Sequence, residues 1–245
     1  MLRPFVVLIA LAAAVLPAAA QSAPPAAATP VGLPGAPDPH FGTPLEAWPP
    51  PDTLAAAALA GHAARVRAWL DGGLPPDAPL PGGQTMLMLA AAHDHAPLAR
   101  TLIAYGAQPD RPDDAGRTPL MHAARGAASA RTARVLLQTG ARPNRQDAEG
   151  RTPLMHAAAA GAEALVALLL PRADLALRDS AGRSALHHAA QASSPAVYRL
   201  LLAAGLAPDE LDRFGKTPRQ YAQERFGEAA DEPRGGGPSS PRVPG

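Results

Sequence analysis

An all-α solenoid of stacked helical hairpins is the fold class this sequence predicts, on three observations. The nine residues GRTPLMHAA at 116–124 return letter for letter at 150–158. Aligning on the Thr of TPL extends the repetition to Asp52, Thr85, Thr118, Thr152, Ser184 and Thr217, at intervals of 33, 33, 34, 32 and 33 residues. Between these points an alanine pair recurs, then a leucine-rich stretch closed by glycine, as in Arg134 to Gly140 and Arg199 to Gly205. Self-similarity at this period marks an array of small units. None can enclose its own apolar face alone, so neighbours stack to bury one continuous core.

The letters of each unit explain its elements in order. Thr at the N-cap accepts from a free backbone N–H, Pro at the first helical position loses nothing by lacking one, and Ala fills the short helix that follows. Leu87, Leu120, Leu154 and Leu186 stand three or four residues before the alanines, which puts Leu and Ala on one helix face. A second helix presents Leu102, Leu136, Leu169 and Leu201 at equivalent places, and the glycines at Gly106, Gly140 and Gly205 suit a left-handed C-cap. Pro, Asn, Asp and Gly between units, as from Pro143 to Gly150, favour a projecting turn. The units then run over about 52–84, 85–117, 118–151, 152–183 and 184–216, with a partial cap at 217–230.

The pattern G-R-T-P-L-x-x-A-A, then about ten variable positions and L-L-x-x-G-A, resembles the ankyrin repeat from Asp52 to about Gly227. A tetratricopeptide array of similar period would want Trp, Leu-Gly and Tyr positions that are absent here. The resemblance implies β-turn or hairpin tips projecting from the stack. Departures are visible too. Ankyrin repeats usually carry His directly after TPL, where it ties the turn; Met88, Met121 and Met155 take that place and only His187 matches. The third unit has an extra residue around 126–131, and the fourth reads Leu170-Pro171-Arg172-Ala173 with its glycine lost, so local irregularity is expected at both. Asp52-Thr53-Leu54 and Thr217-Pro218-Arg219, with Arg219 where a buried leucine would be, read as end caps.

The ends of the chain look different. Arg3, the apolar run Phe5 to Leu16 and Ala18-Ala19-Ala20 before Gln21 read as a cleaved secretory signal over 1–20. The run has 12 residues, against the ~20 needed to span a membrane. Residues 21–51 hold ten prolines and read as an extended leader, and 231–245 as a disordered tail. The chain has no cysteine, which excludes disulfides, thiolate metal sites and a lipidated N-terminal Cys. Lys and Arg total 22 against 21 Asp and Glu; Arg3 leaves with the signal and the rest balance. No basic surface for nucleic acid is expected. A monomer in the periplasm, with no membrane attachment after cleavage, is the expected state.

His122, His156 and His188 occupy one position in successive units and invite a metal or ligand-binding reading. Packed helices stand roughly 8–10 Å apart, whereas two nitrogens on one zinc lie within about 4 Å, so two rungs cannot share an ion, and the three read as ordinary repeat positions partly facing the groove. His93 and His95 flank Asp94, but alternate residues of a helix point apart. Neither metal nor cofactor is expected. Asp113-Asp114 is expected to be a solvated pair in an exposed turn. No Cys nucleophile, G-x-S-x-G, H-E-x-x-H or phosphate loop is present, so no enzyme is expected; a hydrolase hidden in the irregular third and fourth units is the remote alternative.

The ankyrin resemblance implies partner contacts at the turn tips and on the exposed, concave side of the first helices. By position these are Asp114, Ala115, Arg117 and Arg125; Ala148, Glu149, Arg151 and Ala160; Ser180, Arg183 and Gln191; and Arg213, Phe214 and Lys216. Arg117, Arg151, Arg183 and Lys216 precede TPL in four units and would form a basic stripe, broken at Gln84. Two readings stay open: structural ion pairs with Asp113, Asp147, Asp179 and Asp212, or a stripe that selects an acidic partner, with Phe214 as an aromatic anchor.

Overall fold

The computed structural model describes residues 48–126, 130–192 and 194–227, all within the compact unit that begins at Leu45. The signal, the leader up to residue 47, the tail and part of the third unit's extra-residue segment lie outside the described residues.

The described chain contains α-helices and two 3-10 turns, with no strand. Five hairpins pair α1 (Pro51–Leu59) with α2 (Ala63–Asp71), α3 (Met86–Ala92) with α4 (Ala96–Ala104), α5 (Pro119–Gly126) with α6 (Arg131–Gln138), α7 (Pro153–Ala160) with α8 (Glu163–Leu169), and α9 (Ala185–Gln191) with α10 (Pro195–Ala203); α11 (Pro218–Phe226) closes the described series. The first helices pack in a row, α1 on α3, then α5, α7, α9 and α11. The second helices form a parallel row in which α2, α4 and α6 pack in turn and α8 packs on α10, while α6 and α8 barely meet. The sequence-based expectation of an all-α repeat solenoid is what the structure shows.

Local chemistry sets each element. Thr85 and Thr152 are N-caps whose Oγ1 atoms accept from the Met88 and Met155 N–H groups (3.4 and 3.3 Å). Thr217 and Gln220 cap α11 reciprocally. Asp52 departs from the expectation of a cap. The helix opens at Pro51 with Pro50 at the N-cap, because the proline run presets helical φ early, so Asp52 lies in the first turn. Gly106, Gly140 and Gly205 take φ of +94°, +97° and +93°, and the next N–H in each case returns to the carbonyl of Leu102, Leu136 or Leu201, a Schellman closure. The fourth unit, lacking that glycine, ends instead in the 3-10 turn Leu170–Arg172.

Leu87, Leu120, Leu154 and Leu186 and the alanine pairs beside them are buried, as are Leu102, Leu136, Leu169 and Leu201. Alanine at the contact lets first helices approach closely. Arg219 is half-buried and its Nε donates to Asp209 Oδ1 at 2.8 Å, an arrangement suited to the last helix of the described series. The turn tips are joined one bond per step: Asp114 N–H to Gly82 O, Ala148 to Ala115, Ser180 to Glu149 and Arg213 to Ala181 (3.2, 3.0, 2.8 and 2.9 Å). Gly116 is required at such a tip. Its φ is +74°, and a Cβ there would stand 3.0 Å from the Ala148 nitrogen.

Candidate functional site

Four aspartates organise the tips, and they are buried rather than solvated. Asp113, Asp147, Asp179 and Asp212 are between 6% and 7% exposed. The expectation of a solvated Asp113-Asp114 pair is therefore corrected for Asp113, while Asp114 is exposed. Burial is sustained because each carboxylate is saturated with donors. Asp113 Oδ1 accepts from the backbone N–H groups of Ala115 and Arg117 (3.0 and 2.8 Å), and Oδ2 accepts from Arg117 Nε and His122 Nε2, both at 2.9 Å. The same figure is drawn by Asp147 with Glu149, Arg151 and His156, and by Asp179 with Ala181, Arg183 and His188.

In the last copy the residues change and the geometry is kept in part. Asp212 takes the N–H groups of Phe214 and Lys216 and the Tyr221 hydroxyl, which replaces imidazole at 2.9 Å. Lys216 does not ion-pair with Asp212: its Nζ turns to Glu224 (2.8 Å) and lies over the Tyr221 ring, since its linear chain lacks the laterally directed Nε–H of arginine.

The histidine ladder is thereby explained as structure. His122, His156 and His188 are 8%, 4% and 6% exposed, so they are buried rather than partly facing a groove. A carboxylate only accepts, so each ring carries its proton on Nε2. Burial is the main force on the pKa of His156, holding it at about 4 despite the bond to Asp147; burial lowers His122 as well. Burial would raise Asp179, but the His188 bond, the Arg183 N–H and the Arg183 charge outweigh it and hold the carboxyl below its ordinary range. Asp113 is lowered in the same way against burial, by Arg117 and His122. His187 keeps the turn-tying role expected of it: its Nδ1 lies 3.1 Å from the Ser184 nitrogen and 2.9 Å from Ser184 Oγ. Met88, Met121 and Met155 at that place are simply buried.

His93 and His95 also differ from expectation. They follow the end of α3 rather than lying on a helix, and their rings stack with centroids 6.1 Å apart. Asp94 between them is buried at φ +55° and binds Arg131 Nε and the Thr132 N–H (2.9 and 2.7 Å), while His95 Nε2 donates to Leu59 O. Among the described residues no group of three or more His, Cys, Asp or Glu is placed to hold a metal ion.

The expected contact residues divide into two sets. Arg117, Arg151 and Arg183 are half-buried with their guanidinium groups held by aspartate, and Glu149 binds Arg151 at 2.7 Å. The structure thus supplies the structural ion pairs in the first three positions of the stripe. Asp114, Arg125, Ser180, Gln191, Arg213 and Phe214 are exposed, Phe214 at 73%. Neighbouring units bring some of these together. Arg125 and Ala160 line one hollow of about 510 Å³ with Gly126, Gly161 and Glu163, and Gln191 lines a smaller one of about 190 Å³ with Tyr221, Glu224 and Arg225.

These features define a helical-hairpin solenoid whose turns are closed by buried aspartates. A family model for ankyrin repeats in three copies matches residues 54–147 and 126–212, and the chain belongs to that family. No curated protein matches the sequence significantly. Ankyrin repeats generally mediate protein–protein interaction. No helix among the described residues is long and apolar enough to cross a membrane.

Proposed function

We propose that this protein is a non-enzymatic scaffold that binds a partner polypeptide through its turn tips and the exposed side of its first-helix row, as a monomer exported to the periplasm. The observation that carries the reading is the convergence of expected contact residues from successive units on open hollows, Arg125 with Ala160 above all. A partner with an acidic face would meet Arg125 there and Arg213 at the last turn tip, where Phe214 would be its apolar anchor. The N-terminal sequence, with its basic start, apolar run and small residues before Gln21, supports export.

The test uses residues that the fold does not consume. Charge reversal at Arg117, Arg151 or Arg183 would set a carboxylate against a buried aspartate, so it reports on folding. The triple variant Arg125→Glu, Arg213→Glu and Phe214→Ala touches exposed side chains only. Crosslinked capture from periplasmic extract should show one polypeptide retained by the parent chain and lost, by about tenfold or more, from the variant. Equal recovery by both would dismiss this face as the binding surface.

A further inference from the structure

The second-helix row carries a basic stripe of its own. On four of its helices a buried residue is followed directly by arginine, six positions before the glycine that ends the hairpin (Gly73, Gly106, Gly140 and Gly205): Arg67 after Val66, Arg100 after Ala99, Arg134 after Ala133 and Arg199 after Tyr198. Among the described residues none of the four forms an ion pair, in contrast to Arg117, Arg151 and Arg183 at the tips. On α8 the equivalent place holds Ala167, after Val166. This is also where the row parts, since α6 and α8 barely meet.

Where the helices part lies a cleft of about 200 Å³, lined by Arg134, Leu137, Gln138, Leu168 and Arg172. Its floor is apolar, from half-buried Leu137 and Leu168, and its rim is cationic, from exposed Arg134 and Arg172. Arg172 forms no ion pair among the described residues either, and no acidic side chain lines the cleft. The size decides the kind of occupant: small-molecule sites run to roughly 300–1,000 Å³, whereas this space suits one or two side chains.

We propose that the α6–α8 cleft binds a segment of acidic polypeptide, seating an apolar side chain between Leu137 and Leu168 with a neighbouring carboxylate between Arg134 and Arg172. Two unpaired guanidinium groups offer the fork geometry that carboxylates accept. The leucine floor gives an apolar side chain something to bury against, which a phosphate backbone would leave unused. The chain's 22 basic and 21 acidic residues leave a net charge of only +1, without the strongly basic balance that polyanion binding relies on.

The test is fluorescence anisotropy of the full chain with a fluorescein-labelled decapeptide of alternating Glu and Leu. Binding should weaken at least about tenfold in Arg134→Glu with Arg172→Glu, and should be unchanged in the turn-tip triple variant, which keeps this site distinct from the surface proposed above. Leu168→Arg decides between cleft and charge. It adds a cation but removes half of the apolar floor, and binding should weaken. Tighter or equal binding by Leu168→Arg would overturn the proposal. So would equal binding of an alternating Glu–Gly peptide, or equal dependence on Arg134 and Arg172 in binding of single-stranded DNA or phosphatidylglycerol vesicles. Arg134 and Arg172 are exposed and Leu168 is half-buried, and circular dichroism confirms that each variant is folded before it is titrated.

Discussion

A neutral imidazole buried against an ionised aspartate makes the repeat turn sensitive to acid in a definite order. The native state keeps His156 neutral down to about 4, while the unfolded chain protonates it near 6.5. Unfolding therefore takes up a proton between those values, and stability falls as pH falls. The full shift corresponds to ~3 kcal/mol at most, and the lowered His122 and His187 add to it in the same direction. The aspartates act later. With Asp113 and Asp179 held below 3.8, their contribution is intact above that pH and is lost only as pH drops through their folded values. Urea midpoints measured from pH 7 to 4.5 should therefore decline before Asp113 and Asp179 titrate, and His156→Gln, which keeps a donor without a titratable ring, should flatten part of that decline. A parent midpoint level down to pH 4.5 would refute the histidine origin of the effect.

Single elements show why the hairpins were readable in the sequence and the aspartate turns were not. Thr, Pro, Leu, Ala and Gly act on the backbone within a few positions, so Thr85, Pro153 and Gly140 announce their roles locally. Asp113 looks like a surface acid until its partners are known, and they lie four and nine residues away across a turn and a helix start. A signal was nonetheless present: Asp113, Asp147, Asp179 and Asp212 stand five residues before Thr118, Thr152, Ser184 and Thr217, and an acid repeated in phase with a core pattern belongs to the core. The α6–α8 cleft depends on how two helices of neighbouring units part, which no single unit's letters record. Within a hairpin, backbone and packing costs separate cleanly. Leu136 is fully buried, so Leu136→Ala should cost ~2–5 kcal/mol. Gly140 sits at φ +97° with nothing within 4 Å of an added Cβ, so Gly140→Ala should cost only the left-handed backbone, about 1 kcal/mol. Denaturant titration of the two variants checks the ratio.

Along the stack, the main packing of each first helix among the described residues is on the helix of its own hairpin and on those of the units before and after it, so coupling between distant repeats passes through their neighbours. Stability in such a chain is close to a sum of unit terms and neighbour terms, and local opening should follow the same geography. Leu201 in α10 and Leu54 in α1 are both buried in one continuous apolar cluster, yet three hairpins lie between theirs along the row. Leu201→Ala removes packing that α9 and α8 share with α10, so amide hydrogen exchange should accelerate in α8 to α11 by about tenfold or more for a loss of ~2 kcal/mol, with protection in α1 and α2 little changed. The parted contact between α6 and α8 sharpens the expectation, because the second-helix row transmits little there and the disturbance must pass through α7 and α5 alone. Uniform acceleration across all hairpins, from Leu54 to Ala222, would show instead that the stack opens as one cooperative body, with neighbour terms so strong that the units no longer behave as separate parts.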